Sequence, residues 1–96
     1  MNDRELYRQK YQARLDEVKA EIAALKARAS GAKADAQLEI NTHLRELDHR
    51  MHDAGDRLAE LAAAGEETWD AARKKAESTW GALKAGASAA AAKFKE

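Results

Sequence analysis

Leu15-Asp16-Glu17-Val18-Lys19-Ala20-Glu21-Ile22-Ala23-Ala24-Leu25-Lys26-Ala27-Arg28-Ala29-Ser30-Gly31-Ala32-Lys33-Ala34-Asp35-Ala36 decides the fold class. Apolar residues can be followed through it at Leu15, Val18, Ile22, Leu25, Ala29, Ala32 and Ala36, in steps that alternate three and four. This heptad rhythm draws one narrow apolar seam along a helix and favours helix-on-helix packing. Tyr7 and Tyr11 extend the seam upstream, and Ile40, Leu44, Leu47, Met51, Ala54, Leu58 and Leu61 extend it downstream. Past Gly65 it continues through Trp69, Ala72, Ala76, Trp80, Leu83 and Ala87 to Phe94. Tyr7 and Phe94 lie 87 positions apart, covered in 24 steps that average 3.6 residues, the α-helical period. Leu6 and Leu38 fall off the seam. No alternation bounded by turn residues suggests a strand, so the chain reads as all-α.

Composition agrees. The 96 residues suit one small domain, with no Pro, no Cys, 24 Ala and 35% charged residues. Without Cys there are no disulfides, thiolate metal sites or cysteine nucleophiles. Seventeen basic and seventeen acidic residues cancel, and no basic patch is interleaved with stacking aromatics, so no nucleic-acid partner is expected. The charged start, Met1 to Glu5, leads into no apolar run, and no window is apolar enough to span a bilayer. A cytoplasmic protein is the expectation.

Two places could turn the chain. Ala62-Ala63-Ala64-Gly65-Glu66-Glu67-Thr68 offers a glycine able to end a helix in a left-handed conformation, followed by acids suited to a first helical turn. Ser30-Gly31 is the other. The heptad register passes through Ser30-Gly31 unshifted, and one glycine inside a helix costs only about 1 kcal/mol. The expected architecture is therefore an antiparallel helical hairpin. Residues 1–64 form a heptad coiled-coil helix running to about residue 63, and residues 65–96 form a shorter Trp-containing return helix. A turn at both places gives the alternative, a three-helix bundle.

The last third repeats itself. Thr68, Trp69, Ala71, Arg73 and Ala76 recur eleven residues later as Thr79, Trp80, Ala82, Lys84 and Ala87. Eleven residues make three turns, so both Trp residues lie on one face of a nearly straight helix. Thr68-x-x-Ala71-Ala72-Arg73-Lys74-Lys75-Ala76-Glu77 resembles the eleven-residue repeat of group 3 late embryogenesis abundant proteins. It is similar, more loosely, to the repeats of exchangeable apolipoproteins. The whole chain resembles small bacterial coiled-coil proteins that join a Tyr-and-Leu heptad half to a Trp-containing helix. The repeat resemblance implies a membrane-surface or stress-protective role for the C-terminal helix.

The residues point to contacts rather than chemistry. A helix of about 60 residues outruns a return helix of about 28, so part of the seam stays uncovered. Tyr7, Tyr11, Leu15, Val18, Ile22, Leu25, Leu44, Leu47, Met51, Leu58 and Leu61 are the expected seam for a homo-oligomer or a partner helix. Trp69, Trp80, Leu83 and Phe94, flanked by Arg73, Lys74, Lys75, Lys84, Lys93 and Lys95, form a face suited to packing or to a membrane surface. His49, His52, Asp53 and Asp56 share helical spacing that could in principle hold zinc or nickel, but a solvated face is the expected reading and no metal is assigned. No phosphate loop, nucleophile elbow or carboxylate dyad is present, so no enzyme activity and no cofactor are expected. A non-enzymatic interaction protein is the reading, with a lipid-binding protein as the alternative.

Overall fold

The computed structural model describes residues 2–94, so Lys95 of the basic flank lies outside the described residues. It is 89% helical, and among the described residues it contains no strand. Three helices, α1 (Asp3–Ser30), α2 (Ala34–Ala63) and α3 (Trp69–Lys93), pack against one another. The chain does not run as one helix to residue 63. It breaks at residues 31–33.

Local chemistry explains where each helix begins. Asn2 caps α1, its side-chain oxygen accepting from the Glu5 amide at 2.9 Å, and Asp3 and Glu5 complement the helix dipole. The segment before α3 closes on itself: the Gly65 amide donates to Thr68 Oγ1 at 3.0 Å, and the Gly65 carbonyl accepts from the Thr68 and Trp69 amides. Thr68 Oγ1 thus satisfies the Gly65 amide in the manner of one half of a capping box, with Glu66 and Glu67 lying within the turn. No glycine among the described residues has a positive φ, so Gly65 does not act as the left-handed stop that its residue type suggested. Ala64, in extended conformation, ends α2 instead.

The break after Ser30 has weaker signals. Ser30 Oγ donates back to the Ala27 carbonyl, and Gly31 sits in the right-handed region at φ −99°. Lys33 is extended and makes no side-chain cap. Register gives no warning, because Ala29 and Ile40, the last buried residue of α1 and the first of α2, are eleven residues apart. Eleven residues are three helical turns, so the phase looks unbroken whether the chain continues or reverses. Ala36, placed on the seam by that phase, is exposed.

Cross-helix contacts give the directions. Tyr7 meets Trp69, Arg14 meets Glu77 and Glu21 meets Lys84, so α1 and α3 run the same way. Glu39 meets Lys93 and Arg50 meets the Ala82 carbonyl, so α2 runs against α3. The long axis is 51 Å, close to the roughly 45 Å of a 30-residue helix. Tyr11, Leu15, Val18, Ile22 and Leu25 of α1 share one core with Ile40, Leu44, Leu47 and Leu61 of α2 and with Ala76, Leu83, Ala87 and Ala90 of α3. Gly86 allows α3 to come close to α2: a Cβ there would lie 3.3 Å from Leu47 Cδ2 and 2.7 Å from an Arg50 guanidinium nitrogen.

Candidate docking groove

The α1–α3 contact is the least extensive of the three and is organised as a ladder. Arg14 pairs with Glu77 at 2.9 Å, and one heptad later Glu21 pairs with Lys84 at 3.5 Å. Each rung joins residues 63 apart, a whole number of heptads, so two helices running the same way repeat the contact every second turn. The next rung sets Arg28 against Ala91, whose methyl group cannot answer the guanidinium. Arg28 donates instead to the Phe94 carbonyl.

Where that rung is incomplete, the surface opens into a groove of about 160 Å³. Ile22 and Leu25 of α1, Leu47 of α2 and Ala87 and Ala91 of α3 line it, with Glu21 and Arg28 at the rim. Its surface is predominantly apolar. The site thus combines a slot for an aliphatic side chain with a cation that has no carboxylate partner among the described residues. It offers binding, not bond-breaking chemistry.

The aromatic end of the molecule is held together by ring and cation contacts. Tyr7 stands edge-on to Trp69 with ring centres 5.8 Å apart, and the Arg14 guanidinium lies 5.4 Å from the centre of the Trp80 ring. The Tyr11 hydroxyl donates to the Ala76 carbonyl at 3.2 Å. The hydroxyl of Tyr7 and Nε of Arg57 are buried without hydrogen-bond partners.

The structure redistributes the residues singled out in the sequence. Tyr11, Leu15, Val18, Ile22, Leu25, Leu44, Leu47 and Leu61 are buried within the chain's own core, with Tyr7, Met51 and Leu58 half-buried against it. α1 ends at Ser30, and α2 and α3 pack over these seam positions. Leu83 is buried, and Trp69, Trp80 and Phe94 are half-buried against the same core. His49 and His52 reach Asp53 and Asp56 at 4.0 and 3.8 Å as two separate exposed pairs. Among the described residues no group of three or more potential ligands could hold a metal ion, and no helix is long and apolar enough to cross a membrane.

Sequence reasoning missed Arg28; Ala87 and Ala91 belong to the apolar face of the C-terminal helix, and only the structure sets them beside Arg28. The offset of 63 that links Arg14 to Glu77 and Glu21 to Lys84 was present in the sequence. It becomes a signal only once α1 and α3 are known to run side by side. No protein-family model, curated protein or solved structure matches the chain.

Proposed function

We propose that this chain is a non-enzymatic helical interaction protein, a closed three-helix bundle that associates with further copies of itself. The supporting observation is the α1/α3 groove, where an apolar slot and an Arg28 that has no carboxylate partner among the described residues lie together on the surface. The closed bundle is favoured because the apolar faces of all three helices meet in one core. Opening it into a hairpin would return Tyr11, Leu15, Val18 and Ile22 to water, at roughly 1.5–3 kcal/mol for each large aliphatic side chain.

Sedimentation of the full chain over a wide concentration range tests the reading, and the average mass should rise with concentration. Anionic vesicles should leave helicity and Trp fluorescence unchanged, because Trp69, Trp80 and Leu83 are engaged with α1 and α2. A monomer at every concentration would overturn self-association. A Trp blue shift on vesicles would instead favour the lipid-surface reading.

A further inference from the structure

We infer that the α1/α3 groove receives Leu38 of a second copy, with that copy's Asp35 meeting Arg28 at the rim. The assignment rests on the self-association proposed above and names the surface that carries it.

The groove has the volume for one large side chain and not for a helix. An apolar cavity of about 150 Å³ holds a benzene-sized group, and this slot offers about 160 Å³. The occupant must therefore be a protruding aliphatic or aromatic side chain with an acid beside it for Arg28. Leu38 is 67% exposed, more than Leu6 at 50%, and these two are the exposed large hydrophobic residues among those described. Asp35 precedes Leu38 by three residues on α2, so both lie on one helical face. Asp35 is exposed and forms no ion pair among the described residues. An acid without an ion pair, one turn from an exposed leucine, is thus matched by an arginine that has no carboxylate partner among the described residues and lies beside an apolar slot. The formal net charge of zero adds no long-range repulsion between copies.

Ala91 provides a test from the other side. Ala91→Glu would supply the missing carboxylate of the third rung, engaging Arg28 within the chain and filling the slot's mouth.

The experiment is sedimentation velocity on the full chain, with circular dichroism to verify that each variant stays folded. Leu38→Asp and Ala91→Glu should each weaken association by about tenfold or more, the factor expected when one large side chain loses its pocket. Leu6→Asp, an equivalent change at the other exposed leucine, should leave association unchanged. Arg28→Glu should weaken it, and combining it with Asp35→Arg should restore it, because the swapped charges again face each other. If the wild type associates but Leu38→Asp does not weaken it, or Leu6→Asp does so instead, this assignment falls while self-association stands. If the wild type never associates, the underlying reading fails and this assignment with it.

Discussion

Tyr7 and Tyr11 stand one turn apart on α1 and differ in what their hydroxyls meet. Tyr11 donates to the Ala76 carbonyl, whereas the buried Tyr7 hydroxyl has no partner. Tyr11→Phe should lower unfolding free energy by about 1 kcal/mol, the net worth of a neutral hydrogen bond. Tyr7→Phe removes a hydroxyl that faces Glu77 without a well-formed hydrogen bond, and should cost less than Tyr11→Phe by denaturant titration. Burial, with smaller contributions from Tyr7 and Glu77, pushes the Tyr11 hydroxyl up to about 12. The unfolded chain therefore releases this proton near its ordinary value of 10 while the folded chain retains it. Stability from this group is complete below pH 10 and lost progressively between pH 10 and 12. The denaturant midpoint of Tyr11→Phe should accordingly fall less steeply with pH in that window than that of the wild type. Glu39 shifts oppositely: hydrogen bonding to Lys93 and then its charge hold the carboxyl below the usual range, so this exposed pair weakens as pH falls.

At the scale of the helices, residue 34 separates a broken helix from a continuous one. Ala34 opens α2 and follows an extended Lys33, with ψ 157°, a conformation compatible with the residue before proline. Ala34→Pro should be tolerated or should stabilise the chain by about 0.4–1 kcal/mol, since proline suits a first helical position. In an uninterrupted helix the same change would cost about 3 kcal/mol, so a large drop in melting temperature would contradict the break. The glycines inside α2 and α3 divide likewise. A Cβ at Gly55 or Gly81 meets nothing within 4 Å, so alanine there should add about 0.5–1 kcal/mol from helix propensity. Gly86→Ala presses on Leu47 and displaces Arg50 from the Ala82 carbonyl. Its melting temperature should fall below those of the other two glycine variants.

For the whole molecule, the heptad residues of α1 are core. Tyr11 and Val18 are fully buried, and Leu15 and Ile22 nearly so. Leu15→Asp with Ile22→Asp would place two carboxylates in an apolar interior, at a cost of several kcal/mol set against a total stability of about 5–15 kcal/mol. Circular dichroism should show an unfolded or largely unfolded chain, not a folded and dissociated one. Loss of association with full helicity retained would mean that these side chains face a partner. Leu38→Asp, at an exposed position, should leave helicity intact.

The sequence by itself determined that the protein is helical and which side chains are apolar knobs. A period of 3.6 residues survives without knowledge of what packs on what, and so Leu15 to Leu25 and Leu44 to Leu61 were legible as a seam. The turn near Gly65 was legible too, through Gly65, its following acids and Thr68, although hydrogen bonding rather than left-handed backbone makes it. The break at residues 31–33 was not, because eleven residues between Ala29 and Ile40 preserve helical phase in either chain path. Local preference there is nearly balanced, with one glycine against strong helix formers. Burial of the α1 seam beneath α2 and α3, a nonlocal gain far larger than a local cost of about 1 kcal/mol, tips it. That reversal also placed Arg28 beside Ala91 and left the groove between them, a pairing across 63 residues that exists only when α1 and α3 lie side by side.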